Sequence, residues 1–373
     1  MLYVHIPFCK SFCTYCGFYS ETAVCYEAFA KALLKEADLR QEELSGTFQT
    51  RTLYIGGGTP TVLPLSVLEH IVSHLRNLAG PLEEFTIEAN PEDIVDKGAE
   101  YAEALLKLGV NRVSMGVQSF DDRVLKWMNR RHDAATAIKA YRILEDAGFD
   151  NISIDLIFGF ASKDAAQWTR TISQALDISR TGRPPRHISA YQLSIEPDSA
   201  LEKMVSSGKV VMADEDSCAR EYELLCDRLR QAGYNHYEIS NFALPGYEAV
   251  HNSAYWHHQP YLGLGPGAHS FSISAEGEYS RSWNEPHLKA YIENRPCQSE
   301  ILTAEQIGME EVMLSLRTSS GLSSRRIEDL CGASALKRAL KSGSLEIIEG
   351  SSLVRIPEHK FFISDGIIAE LFA

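Results

Sequence analysis

No run of apolar residues in this 373-residue chain approaches the ~20 needed to cross a bilayer as a helix. Basic residues are scarce: 36 Lys and Arg stand against 50 Asp and Glu, for a formal net charge of −14. That balance argues against broad electrostatic binding to DNA, RNA or anionic lipid and leaves open only a local basic groove. The first residues lack a basic region, an apolar run and a cleavage site, so no signal peptide is expected, nor the disulfides of a secreted protein. There is no low-complexity tract, fixed-period repeat or linker long enough to separate independent modules. Of only eight cysteines, Cys25, Cys218, Cys226, Cys297 and Cys331 are scattered and read as reduced thiols, mostly interior, of a cytosolic protein. What remains is a globular chain, 45% hydrophobic and long enough for a barrel-sized domain and a smaller one.

The other three cysteines are concentrated at the start, as Cys9-x3-Cys13-x2-Cys16 within the run Tyr3 to Phe18. This is the pattern of a [4Fe–4S] cluster held by three thiolates. The fourth iron is then open to a small molecule, which sets up radical chemistry rather than simple electron transfer. A structural zinc site competes with this reading, but it calls for a fourth Cys or His at standard spacing. His5 precedes the triplet and alternates with Tyr3 along an expected strand, so it need not face the same centre.

Through the first two-thirds, short apolar runs alternate with longer amphipathic segments. Strands are expected at Leu2–Ile6, Thr52–Ile55, Glu84–Glu88, Arg112–Gly116, Ile152–Ile157 and Ile188–Leu193. Helices are expected at Ala28–Leu44, Pro64–Leu78, Gly98–Lys107, Ala134–Ala147 and Ala165–Ser179, with Gly109 and Gly148 as caps. The alternation predicts an α/β fold, an incomplete (β/α)6 barrel over residues 1–233, with an open doubly wound sheet as the alternative. Residues 234–302, dense in aromatics, His and Gly, read as irregular structure closing one side. Residues 303–373 read as helices followed by two short β runs, a winged-helix-like α+β unit without a basic recognition helix and so a packing module.

Polar and glycine-rich residues cluster just past the expected strand ends, the face on which barrel active sites lie. Gly56-Gly57-Gly58-Thr59-Pro60 would let a ligand approach the backbone closely, although a glycine triplet alone is often only a turn. Glu88, Gln118, Arg130 and Asp155 suit a polar ligand: carboxylates and amides for ribose hydroxyls, a guanidinium fork for a carboxylate. A surface salt bridge explains Arg130 equally well at this stage, whereas a charge on an apolar parallel strand calls for a partner. His251-Asn-x-x-Tyr-Trp256 could ligate and pack a porphyrin iron. A hydrogen-bonded core histidine is the simpler reading, and His257, His258 and His269 are nearby alternatives.

In order along the chain, Cys-x3-Cys-x2-Cys after Tyr-Val-His-Ile-Pro-Phe, Gly-Gly-Gly-Thr-Pro, Glu-Ala-Asn-Pro, Gly-Val-Gln-Ser-Phe and Asp-Leu-Ile-Phe-Gly resemble the radical S-adenosylmethionine (SAM) enzymes. The nearest branch contains oxygen-independent coproporphyrinogen III oxidase and the HemW-type heme chaperones, and the likeness runs over nearly the whole chain. It implies that Cys9, Cys13 and Cys16 hold the cluster and that Tyr3, Gly57 and Glu88 contact the cluster-bound SAM. Tyr15, Gly58, Thr59, Gln118, Arg130 and Asp155 match positions around the oxidase's second SAM. The implied chemistry is reductive cleavage of SAM to methionine and a 5′-deoxyadenosyl radical, which in the oxidase leads from a propionate to a vinyl group with loss of CO2.

Two departures separate the chain from the oxidase: Phe18 replaces a fourth cysteine, and the oxidase's N-terminal extension has no counterpart before the first strand. Both, with the His251 motif and Tyr237-Glu-Ile-Ser-Asn241, resemble the chaperone group, whereas Gly17 resembles the oxidase. The resulting expectation is a cytoplasmic heme-binding protein that delivers heme, with His251 as ligand, to an acceptor protein. An electron donor such as a flavodoxin or ferredoxin serves the cluster, contact with membrane proteins is transient, and nucleic acid is not a partner. The oxidase is the second expectation. An RNA-modifying radical SAM enzyme is disfavoured by the acidic charge and the lack of an appended basic module.

Overall fold

A computed structural model describes residues 1–45, 51–161, 164 and 166–373. In chain order the first part comprises β1 (Leu2–Ile6), α1 (Tyr26–Leu39), α2 (Gln41–Ser45), β2 (Thr52–Gly57), α3 (Leu65–Ala79), β3 (Glu84–Ala89), α4 (Pro91–Lys107), β4 (Arg112–Gln118), α5 (Asp122–Trp127), α6 (Ala134–Ala147), β5 (Ile152–Phe158), α7 (Gln167–Leu176), β6 (His187–Gln192), α8 (Ala200–Ser206) and α9 (Glu215–Gln231). Strands β1 to β6 lie side by side in sequence order, each parallel to the next. This is the incomplete barrel of parallel strands expected from the alternating pattern.

The strands are built on a period of two, which sorts side chains to opposite faces of a sheet. Val4, Ile6, Leu53, Ile55, Phe85, Ile87, Val113, Met115, Ile154, Leu156, Ile188 and Ala190 belong to the hydrophobic core shared with the surrounding helices. The alternate positions are Tyr3, His5, Tyr54, Gly56, Glu88, Arg112, Ser114, Asp155, His187 and Ser189. The same alternation that buries the outer face of the sheet therefore lines its inner face with polar groups.

The segment after α9 corrects the expectation of irregular structure. It contains β7 (Asn235–Glu238), β8 (Asn241–Ala243), α10 (Val250–Trp256), β9 (Leu262–Leu264), β10 (His269–Ile273), β11 (Tyr279–Trp283), α11 (Leu288–Ile292) and β12 (Gln298–Ile301). Three of these strands enlarge the main sheet to nine, ordered β7-β8-β6-β5-β4-β3-β2-β1-β9. β9 is parallel to β1, and β8 is antiparallel to β6. The strands are three or four residues long and carry no alternating pattern. Gly263 sits within β9 because the His269 carbonyl oxygen lies 2.0 Å from where its Cβ would be. β10, β11 and β12 form a separate antiparallel sheet.

The tail has α12 (Ala304–Ser315), β13 (Leu322–Ser323), α13 (Ser324–Cys331), α14 (Ala333–Ser342), β14 (Glu346–Ile347), β15 (Leu353–Arg355) and α15 (Ser364–Leu371), with sheet order β13-β15-β14. Helices followed by an antiparallel pair match the winged-helix-like expectation. Among the described residues no helix is long and apolar enough to cross a membrane. Ala165, the expected first residue of α7, lies outside the described residues.

Candidate functional site

The cysteine loop follows β1 and is fastened on several sides. Phe8 packs edge-on against Tyr26 and Phe29 of α1, with ring centroids 4.9 and 5.2 Å apart. Each such aromatic pair contributes about 0.5–1.5 kcal/mol beyond burial. The Thr14 amide donates to the Met128 carbonyl (3.0 Å) and its hydroxyl to the Trp127 carbonyl (3.0 Å), while Asn129 Nδ2 donates to the Phe12 carbonyl (2.7 Å). The C-terminal end of α5 thus docks on the loop, and Leu201 N–H donates to Thr14 O (2.8 Å) from α8. Lys10 pairs with the fully buried Asp93 of α4 at 2.7 Å.

Cys9, Cys13 and Cys16 are free thiols. Burial raises the Cys9 thiol and pushes that of Cys16 up to about 11. Among the described residues, one trio of His, Cys, Asp or Glu donors lies within 4.8 Å of one another, and it is elsewhere. His5 is spent: its Nε2 lies 2.8 Å from the Tyr19 carbonyl and its Nδ1 3.0 Å from the Tyr3 hydroxyl. With both ring nitrogens engaged, His5 offers no fourth ligand for a zinc ion at the triplet.

The glycine triplet packs against this loop. The Gly58 amide donates to Ile6 O (2.7 Å) and that of Thr59 to Phe8 O (2.8 Å), with Thr59 Oγ1 3.5 Å from Cys9 Sγ. A Cβ on Gly56 would lie 2.7 Å from Glu88 Oε1, and one on Gly58 2.7 Å from the Phe8 carbonyl. Gly57 has φ +103°, and its Cβ would lie 2.5 Å from the His5 ring. Glycine is thus required by the protein's own contacts, where the sequence suggested only clearance for a ligand.

Glu88 is gripped from below. The Tyr54 hydroxyl donates to Oε1 (2.8 Å) and the Gly57 amide to Oε2 (3.0 Å). Burial nevertheless pushes its carboxyl up to about 7, outweighing these hydrogen bonds. Arg130 answers the question the sequence left open, because it is not a surface ion pair. Its Nη1 donates to Cys13 Sγ (3.3 Å) and its Nη2 to the Gly116 carbonyl (2.6 Å), and its buried Nε has no partner. A Cβ on Gly116 would lie 2.8 Å from Gln118 Nε2 and 3.3 Å from Arg130 Nη2, so these two side chains share one corner. Gln118 adopts φ +68° at a register shift in β4, a strained backbone of the kind that clusters at ligand sites.

Asp155 lies mid-strand in β5 rather than past its end, and accepts from the Ser114 hydroxyl at 3.0 and 3.1 Å. Burial raises its carboxyl. Tyr15 packs with Met128, Ile157, Leu193 and Leu201. Tyr54, Lys10, Ser114 and Asn129 hold functional groups in place and were not singled out from the sequence. Only Tyr54 had a signal there, its two-residue offset from Gly56.

His251 is placed elsewhere. It lies in α10, with Nδ1 2.7 Å from Thr52 Oγ1 at the start of β2 and Nε2 3.0 Å from the Tyr255 hydroxyl. It is almost fully buried, and burial lowers its pKa to about 3. Both ring nitrogens are occupied at the opposite end of the sheet from the cysteines. In this arrangement the ring is held as a hydrogen-bonded core histidine. Beside the cysteine loop, by contrast, a groove of about 440 Å³ is lined by Trp127, Phe160, Leu193, Val210, Val211 and Met212, together with the charged Asp121, Arg123 and Asp164. Phe12, Phe18 and Val211 stand 54%, 70% and 78% exposed.

The fit to the group suggested by the motifs rests on these atoms. Three thiols share one loop, a buried guanidinium on Cys13 has an idle N–H, and a desolvated carboxylate holds the glycine triplet that packs on the same loop. Such a set suits an iron–sulfur cluster beside a small ligand bearing amino, carboxylate and hydroxyl groups. The sequence profile of the Radical SAM superfamily matches residues 3–174. Heme chaperone HemW of Lactococcus lactis subsp. lactis is 34% identical over 332 residues, 88% of this chain and 84% of that protein. Heme chaperone HemW of Bacillus subtilis is 33% identical over 344 residues, 89% of this chain and 87% of that protein. Among solved structures, coproporphyrinogen III oxidase (HemN) from Escherichia coli, a radical SAM enzyme, matches with a TM-score of 0.79 at 22% identity, covering 100% of this chain and 89% of that one. At that identity the likeness speaks for the fold.

Proposed function

The chain belongs to the radical SAM superfamily, in the branch of the HemW proteins, and from that premise we propose that it is a cytoplasmic heme carrier that binds heme and passes it to an acceptor protein. Family membership implies a [4Fe–4S] cluster and SAM, which when bound supply one-electron radical chemistry. In this reading Cys9, Cys13 and Cys16 ligate the cluster, and Tyr3, Gly57 and Glu88 hold an exchangeable SAM. Tyr15, Gly58, Thr59, Gln118, Arg130 and Asp155 line the adjoining second SAM position. Residues 1–233 form the chemical core, 234–302 close it and 303–373 pack against it, while a flavodoxin or ferredoxin donates the electron.

The observation that carries the proposal is the apolar rim. Phe18 stands where the oxidase has a fourth cysteine and is 70% exposed two residues past Cys16, and Trp127, whose carbonyl holds Thr14 of the same loop, lines the groove with Phe160 and Leu193. In this reading the exposed ring and the groove together receive the flat apolar face of a porphyrin. Gly17, which resembles the oxidase rather than the chaperone group, has a local cause: a side chain there would lie 2.8 Å from Cβ of Glu196.

The second reading, coproporphyrinogen oxidation, is favoured by the intact polar corner at Gln118 and Arg130. Product analysis separates the two. Cluster-loaded protein given coproporphyrinogen III, SAM and a reductant is expected to leave the substrate unchanged. Formation of protoporphyrinogen would overturn the carrier reading.

A further inference from the structure

Outside the site described above, Cys226 of α9, His236 of β7 and Glu358 of the turn before α15 converge on one point, with their ligand atoms all within 4.8 Å of one another. We propose that these three residues form a mononuclear site for a zinc-type divalent cation, tying the barrel edge to the C-terminal unit.

Cys226 Sγ lies 3.9 Å from His236 Nδ1, and Glu358 Oε1 lies 3.2 Å from the same nitrogen. Ligands at zinc bond lengths of ~2.0–2.3 Å in a tetrahedron sit roughly 3.3–3.6 Å apart, so small side-chain adjustments suffice. A catalytic thiol–imidazole–carboxylate relay is ruled out by the geometry. A relay uses the two ring nitrogens on opposite sides, whereas here thiol and carboxylate meet at one nitrogen.

The surroundings hold each donor as ligands are usually held. The other ring nitrogen, Nε2, lies 3.4 Å from the Ile239 carbonyl and 3.2 Å from the Tyr222 hydroxyl, which itself donates to that carbonyl (2.7 Å). An Nε2–H directed at these acceptors leaves the Nδ1 lone pair facing the thiol and carboxylate. Phe242 stacks on the imidazole at 4.1 Å and 16°, and Phe361 meets its edge at 5.0 Å. Arg230 Nη2 donates to Glu358 Oε1 (2.9 Å), steadying the carboxylate. Thiolate and carboxylate together neutralise a divalent charge, and the mixture of S, N and O donors is the zinc set, with the fourth position left to water. Glu358 is 39% exposed at its side chain, which gives the ion a route in.

The test uses cluster-loaded protein, so that the N-terminal thiols are already occupied. It is treated with a chelator, given one equivalent of Zn2+ and desalted. Metal analysis should find one zinc per chain with iron unchanged, and zinc-edge X-ray absorption should show one sulfur at ~2.3 Å with N/O ligands at ~2.0 Å. Cys226→Ala, and separately the half-exposed and structurally mild Glu358→Gln, should lower retained zinc at least about tenfold while leaving iron in place, and should remove the rise in melting temperature that zinc gives the wild-type protein. Failure of the wild-type protein to retain zinc would overturn the proposal. So would retention by both variants equal to that of the wild type, or a sulfur-rich zinc shell.

Discussion

Glu88 offers the most quantitative consequence of the site. Its carboxylate accepts from Tyr54 and from the Gly57 amide, and burial holds its pKa at about 7. A ligand that donates N–H or O–H to it binds the ionised form, so binding below neutrality must expel a proton. With this pKa the ionised fraction rises from about 0.1 at pH 6 to about 0.9 at pH 8, which strengthens SAM binding through this residue about tenfold, or about 1.4 kcal/mol. Glu88→Gln removes the titration while keeping the shape. Titration calorimetry of SAM into cluster-loaded protein, in two buffers of different protonation enthalpy, reads the protons directly, with the Gln variant as reference for protons carried by SAM itself. Near pH 7 the wild-type protein should release about half a proton more than the variant. Identical proton release and pH slope in both proteins would refute the assignment. The same shift affects stability. Between pH 4.5 and about 7 the folded state holds the Glu88 proton and the unfolded state does not. Stability of the ligand-free protein therefore falls as pH rises through that window, by up to about 3 kcal/mol, and Glu88→Gln flattens the fall.

Cys13→Ala should abolish the broad visible absorption of a reconstituted cluster; an intact spectrum would sink the ligand assignment. Arg130→Met removes the bonds to Cys13 Sγ and the Gly116 carbonyl. It should still assemble a cluster, yet bind SAM about tenfold or more weakly in equilibrium dialysis, the scale of a lost charged hydrogen bond; unchanged affinity would remove Arg130 from the site. His251→Ala breaks two buried hydrogen bonds and a ring contact with Tyr54. It should cost about 2–4 kcal/mol in chemical denaturation while leaving a heme Soret shift intact; loss of the Soret shift in a folded variant would restore His251 as a heme ligand.

The strands and the face they share were legible because a period of two runs through all six, with apolar Val, Ile and Leu on one side and Tyr54, Glu88, Ser114 and Asp155 on the other. The helices were less so. α4 begins at Pro91, but Gly98 has φ +71° within it and bends the chain, so the sequence suggested only its second half. α5 is six residues long, too short for a periodic signal, yet it carries the chain back so that Arg130 reaches Cys13. Strands β7 to β9 join the sheet through backbone pairing with β6 and β1, which leaves no hydrophobic pattern to read. An imidazole among aromatics looks the same in sequence whether it is satisfied or open, and the partners of His251, Thr52 and Tyr255, come from distant or unpatterned positions. Cys297 is exposed, and Cys25 and Cys331 are half-buried, so the scattered thiols are less interior than expected.

The central claim, that the apolar rim beside the cysteine loop receives heme, is tested most directly by equilibrium heme titration of the cluster-loaded protein with Phe18→Ser alongside. Covering the ring of Phe18, 70% exposed, is worth about 1–2 kcal/mol. The account predicts a Soret shift saturating at one heme per chain, and a dissociation constant raised roughly five- to thirtyfold in the variant. A wild-type protein with no Soret shift, or a variant that binds heme as tightly as the wild type, would contradict it.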